Sequence, residues 1–347
     1  MAQKRLMALM IGFLLGWGLT LAQSGWENGE MDAIADEANS DIEVALKRLK
    51  EKGVTPYDLG VDLLYSGRAD KAKKWYETLG IATKEPQYLF GLAWVKWQSG
   101  DNHGALKDGH YLIHKNPPPL IRARTLYLLG TINIDEKDFK SAREDLQKAF
   151  DAYAAIEGKY GGQYKVLTMI AWAAVVEGKY EEVQELLDRA LEFNEKARDI
   201  GLKTQSLGRY LEIIAEMFFR QGDYSGALRK ADESRAAYQA SGELFAADMM
   251  QVKIGLLKLM TGEPKAAGEI AADLWERFHD RPDRARLLAY NEITLMKLDQ
   301  CAQNETSRAE REKAARAWAT AAAGGKALLE LLEFVGDRAK VPCPAWK

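Results

Sequence analysis

LYLLGTINIDEKDFKSAREDLQKAF, from Leu126 to Phe150, decides the architecture of this 347-residue chain. Its first half is apolar, with the pair Leu129-Gly130 inside it. A short polar turn around Lys137 follows, and then a stretch with apolar residues at helical spacing and a small residue, Ala142, near its start. Two helices joined by so short a turn run antiparallel and cross closely. The crossing point on each therefore wants Gly or Ala, and the large residue before it fills the space beside the crossing. The same arrangement recurs in IAWAAVVEGKYEEVQELLDRALEF (Ile170 to Phe193) and IIAEMFFRQGDYSGALRKADES (Ile213 to Ser234).

Six copies follow one register. Their turn residues are Gly67, Gly100, Lys137, Gly178, Gly222 and Gly262, spaced 33, 37, 41, 44 and 40 residues apart. Five residues further on stand Ala72, Ala105, Ala142, Val183, Ala227 and Ala267, small in five of the six. The first helices carry Leu59-Gly60, Leu92-Ala93, Leu129-Gly130, Ile170-Ala171, Ile214-Ala215 and Ile254-Gly255. Repeats of this length mean stacked units with an extended binding face, not one closed globule around a deep catalytic pocket.

The flanks differ from the repeats. Lys4 and Arg5 precede the uncharged apolar stretch Leu6 to Ala22, and Thr20-Leu21-Ala22 places small residues before Gln23. This is the pattern of a secretory signal peptide over residues 1–22. The rival reading is an uncleaved anchor, for which the stretch is slightly shorter than the ~20 residues of a spanning helix. Either way the repeats face a non-cytoplasmic space, periplasmic or secreted, with no membrane insertion once the leader is removed. Residues 23–40 are acidic and poor in apolar anchors, and read as a flexible tether. Ser40 with Glu43 resembles a capping box that opens a helix ending at Gly53. The repeats run over 41–281, a diverged repeat and capping helix over 282–336, and a tail over 337–347.

The register resembles the tetratricopeptide repeat from about Gly53 to Arg281. The residues that carry it are Leu-Gly on the first helix, the turn Gly222-Asp223-Tyr224, the small residue on the second helix and Pro117 ending the second copy. The resemblance implies an all-α, right-handed helical-hairpin solenoid of about six to seven repeats with a C-terminal capping helix. The later copies are longer, and Phe139 to Gly158 reads as a single helix, as in the kinesin-light-chain type of repeat. By the family's register, inward-facing positions of the first helices fall on Tyr57, Tyr65, Phe90, Trp94, Trp97, Tyr127 and Trp172. A ligand groove lined by these rings is one reading. The other is that the rings pack between neighbouring repeats as core. The family's carboxylate-binding clamp needs Lys and Asn where this chain is mostly apolar.

Chemistry is sparse. Both charge signs are interspersed, and a formal net charge of −3 leaves no footprint for nucleic acid. His103, His110 and His114 form a stripe, but seven residues of helix rise ~10 Å, too far for His103 and His110 to share one ion. No HExxH, GxSxG or phosphate loop is present, so no cofactor, metal or catalytic residue is assigned. Asn304-Glu305-Thr306 fits a glycosylation sequon in a loop. Cys301 and Cys343 are the two cysteines, and they either pair or stay free. The expectation is a non-catalytic scaffold of the envelope or secreted space that binds a protein or peptide. The alternatives are a peptide- or glycan-sensing accessory subunit, or an enzyme with an unrecognised site.

Overall fold

The computed structural model describes residues 30–38, 41–65, 68–199, 207–281, 284–322, 325–337 and 343. The leader, its cleavage site, the turn at Gly67 and most of the tail lie outside the described residues. Among those described there are seventeen α-helices and no strand, and successive helices pack in chain order as a helical-hairpin solenoid.

Seven hairpins carry the fold. They are α3 (Pro56–Tyr65) with α4 (Ala69–Thr83), α5 (Pro86–Gln98) with α6 (Asn102–His114), and α7 (Pro119–Asp135) with α8 (Phe139–Ala154). Then come α9 (Tyr160–Glu177) with α10 (Val183–Asp199), α11 (Gly208–Arg220) with α12 (Tyr224–Ala240), α13 (Leu244–Met260) with α14 (Pro264–Phe278), and α15 (Ala285–Cys301) with α16 (Glu305–Thr320). Two short helices, α1 (Glu30–Glu37) and α2 (Ile42–Lys52), precede them, and α17 (Gly325–Gly336) follows. The diverged segment after Arg281 is thus a seventh hairpin. The long helix expected from Phe139 stops at Ala154, four residues short of Gly158.

One turn chemistry builds the hairpins. Gly100, Gly178, Gly222 and Gly262 take positive φ, and Lys137 (62°) and Gln303 (60°) hold the same place without being glycine. The next residue's N–H reaches back to the carbonyl five residues earlier, as in Asp138 to Asn133 (2.9 Å) and Asp223 to Phe218 (3.0 Å). In four hairpins its side chain then opens the second helix. Asp101, Asp138, Asp223 and Asn304 accept from the backbone N–H of Gly104, Ser141, Gly226 and Ser307. Asn304, read from sequence as part of a loop, is therefore the N-cap of α16.

The crossings follow the expected small residues. A Cβ built on Gly130 would stand 2.6 Å from Leu146 Cγ, and one on Gly91 would stand 2.6 Å from the Tyr76 ring. Ala142, Ala227 and Ala267 are fully buried at the matching place on their second helices.

The chain divides into two compact units, one within Met1–Ile170 and Asp188–Gln205, the other within Ala171–Leu187 and Ser206–Lys347. In the first, α1 corrects the expected tether. Ile34 and Ala35 are buried among Leu49, Leu59 and Leu63. Arg68 and Lys71 pair with Asp32, so the acidic residues of this segment anchor it. The cap of α2 is Asp41 rather than the Ser40 box, accepting from Glu43 and Val44. In the second unit, the two cysteines are joined as a Cys301–Cys343 disulfide, Cα to Cα 5.3 Å. No helix among the described residues is long and apolar enough to cross a membrane.

Candidate functional site

The seven rings expected to line a groove have different fates. In the first unit, Phe90, Trp94 and Tyr127 are buried. Phe90 lies 6.3 Å from Trp94, and Trp94 meets Trp97 edge-on at 4.8 Å. Phe90 and Trp94 share one core cluster with Leu128 and Ile132 of the next first helix, and Tyr127 is buried beside Leu128, so these three are not an open apolar strip. Trp97 and Tyr57 stay half-buried. The Trp97 indole N–H donates to Asp135 Oδ2 at 3.0 Å, joining α5 to α7. The Tyr57 ring sits 5.6 Å from Tyr76, whose hydroxyl donates to the Tyr57 carbonyl. The Tyr65 side chain lies outside the described residues.

Arg124, on α7, adds a cation to this face. Burial lowers its pKa, and the nearby Tyr57 and Tyr153 act in the opposite direction. Burial likewise pushes the Tyr153 phenol up, with Arg124 opposing it. The sequence singled out the rings here and missed the charge among them.

Trp172 belongs to the second unit, and its surroundings are of another kind. It is half-buried, with the Arg209 guanidinium 5.0 Å and the Lys253 ammonium 5.6 Å from its ring centroid. Arg209 Nη1 and Lys253 Nζ both reach the Glu212 carboxylate at 2.9 Å. The Tyr238 hydroxyl donates to the same carboxylate, also at 2.9 Å. The carboxylate's partners come from α11, α12 and α13, so it ties two successive hairpins together, and the two cations extend the cluster to Trp172 on α9.

The electrostatics follow from that geometry. Burial pushes the Glu212 carboxyl up. The charges and hydrogen bonds of Lys253 and Arg209 outweigh it and hold the group well below the usual carboxylate range. Burial pulls the Lys253 ammonium down, and Glu212 beside it more than reverses this. Burial raises Tyr238 well above its ordinary value, and Glu212 adds to the effect. The side chains of Arg209, Glu212 and Lys253 remain 24%, 13% and 11% exposed, so the cluster touches solvent.

Arg209, Glu212 and Lys253 escaped the sequence reading because they stand 37 to 81 residues from Trp172. A signal was present. Glu212 stands three residues before the small Ala215, the place held by Tyr57 before Gly60, Phe90 before Ala93 and Tyr127 before Gly130. The cluster offers charge, hydrogen bonds and one partly open ring. Among the described residues no three His, Cys, Asp or Glu side chains converge to hold a metal.

Serial helical hairpins packed in chain order define an all-α helical-repeat protein. Residues 123–155 match the family model of the tetratricopeptide repeat. The same hairpin recurs on either side of it, so the match supports a protein built of tetratricopeptide-like repeats. No curated protein matches it in sequence. Such repeats generally mediate binding to protein partners.

Proposed function

We propose that this chain is an exported, non-catalytic scaffold that holds a protein or peptide partner on the first-helix face of its hairpins. The Trp172–Arg209–Glu212–Lys253 cluster is the polar contact within the second unit. The observation that carries this is the cluster's setting. Two cations and a ring stay in reach of solvent on the face that the repeats present, while the opposing carboxylate keeps both cations in fixed positions. A peptide offers a backbone and side chains to meet such a mixed surface. A sugar needs an open ring face, and the Trp172 ring is already engaged by cations.

Two observations support export. The leader pattern of residues 1–22 is one. The pairing of both cysteines is the other, because disulfides persist in oxidising compartments. A bacterial envelope is the setting that suits this leader, with assembly of an envelope complex as the role.

The test is site-specific photo-cross-linking in the native host. A photoreactive phenylalanine analogue replaces Trp172 in one strain and the exposed Glu185 of α10 in another. The expected result is a defined cross-linked protein at position 172 and none at 185, in the envelope fraction. Equal labelling at both positions, or none at 172, removes the proposed contact face.

A further inference from the structure

The last helix does more than close the stack. Within α17, Leu328 packs with Ala285 and Ala289 of α15 and with Ala319 of α16, as a cap on the last hairpin would. The other end of α17 goes further. Leu332 and Val335 share a cluster with Leu256 of α13 and Met296 of α15, and Met260 of α13 packs on the same cluster. Phe334 meets Phe219 of α11 edge-on at 6.2 Å. A helix of twelve residues thus lies across the first helices of three consecutive hairpins, where a plain cap needs only the last one.

The covered positions are informative. Leu256 directly follows Gly255, as Trp94 follows Ala93 and Trp172 follows Ala171. Phe219 stands four residues after Ala215, as Trp97 stands four after Ala93. So α17 rests on the repeat positions that elsewhere carry the rings of the first-helix face. Its own pattern is that of a docked amphipathic helix. Leu328, Leu332 and Val335 are buried on one side, and Glu330 and Glu333 are exposed on the other. Its end is fastened twice, by Gln300 Nε2 donating to the Gly336 carbonyl at 2.9 Å and by the Cys301–Cys343 disulfide just beyond.

We propose that α17 is a placeholder on a helix-binding surface formed by α11, α13 and α15, and that the disulfide keeps it there. The external ligand of that surface is an amphipathic helix of the same chemistry, with Leu and Phe spaced three and four apart on one side and carboxylates on the other. This rests on the reading that the first-helix face is the binding face. Opening the bond takes a dithiol, which supplies two electrons and two protons and becomes a cyclic disulfide, leaving Cys301 and Cys343 as thiols.

The experiment uses the full chain and a fluorescein-labelled peptide of residues 325–337, GKALLELLEFVGD. Fluorescence anisotropy is followed with the oxidised chain, with the chain reduced by dithiothreitol, and with reduced Leu332→Asp. Hydrogen exchange reports on α11, α13 and α17 in parallel. An internal competitor docked nine-tenths of the time weakens an external ligand about tenfold. The expected result is therefore binding to reduced Leu332→Asp at least about tenfold tighter than to the oxidised wild type. Adding Phe219→Asp should abolish it, with α11 and α13 still protected. Peptide binding no better than that of a scrambled control overturns the proposal. So does loss of protection in α11 and α13 on Leu332→Asp, because α17 is then part of the fold and not a placeholder. The cross-link at position 172 is independent of this peptide. If it survives while the peptide fails, this inference alone falls.

Discussion

Replacing Glu212 by Gln tests the polar cluster with little change of shape. The amide can still accept from Tyr238, but the Arg209 and Lys253 charges lose the carboxylate 2.9 Å from each. Breaking a buried ion pair by removing one partner costs about 3–5 kcal/mol, and the part exposure of these groups puts the cost at about 3 kcal/mol near pH 7. The cost should depend on pH in one direction. The folded-state pKa of Glu212 is depressed from its ordinary 4.5, so its stabilisation is complete above that value and declines as pH falls towards the folded pKa. Below about pH 4.5 the wild type loses about 1.4 kcal/mol per pH unit through this group, and Glu212→Gln loses none through it. The gap between the two proteins should therefore narrow to about 1 kcal/mol by pH 3. Urea unfolding at pH 7, 5, 4 and 3 measures the gap, and hydrogen exchange of α11 and α13 places it in the second unit. A gap that stays constant from pH 7 to pH 3, or a variant within half a kcal/mol of wild type at pH 7, refutes the reasoning.

Other outcomes follow from the same contacts. Ala142→Leu should cost about 1–3 kcal/mol by overpacking the crossing with α7, whereas the exposed Glu181→Ala should stay within about half a kcal/mol in the same urea titration. Lys137→Gly should raise stability by about 0.5–1 kcal/mol, because Lys137 holds φ at 62° in a turn that glycine adopts without strain; a lowered urea midpoint would contradict this. The doubly substituted Cys301→Ser, Cys343→Ser chain should lose about 4 kcal/mol for a loop of 42 residues, and two free thiols in the unreduced wild type would reject the bond. Mass spectrometry of protein from the native host should find Gln23 at the mature N-terminus, and an intact Met1 in a soluble cytoplasmic fraction would overturn the export reading.

The hairpins were legible because each is a local object. A turn residue, a small residue five positions later and a Leu-Gly or Ile-Ala pair before it lie within one window. The structure places Gly130 against Leu146, and Gly60 and Gly91 against Tyr76, as close crossings require. The fate of Trp94 was not legible, because whether a ring points to solvent or to the next repeat depends on small rotations between successive helices. Nor was α1. Its burial comes from Leu49, Leu59 and Leu63 further along the chain, and its acidic residues, which looked like the mark of a tether, are ion-pair partners of Arg48, Lys52, Arg68 and Lys71.

The register explains why one kind of hairpin carries two kinds of packing in this chain. The residue three before the small crossing residue is Tyr57, Phe90 or Tyr127 in the first three hairpins and Glu212 in the fifth. The crossing chemistry is kept at Gly60, Ala93, Gly130 and Ala215, so the backbone path is kept too, and the neighbouring side chain is free to change. At Phe90 the site is filled by apolar packing against Trp94. At Glu212 it is filled by charge, and a buried carboxylate there demands cations from both sides. Arg209 one turn earlier and Lys253 on the next first helix supply them. That demand draws the Trp172 ring under two cations and leaves the ring only half covered.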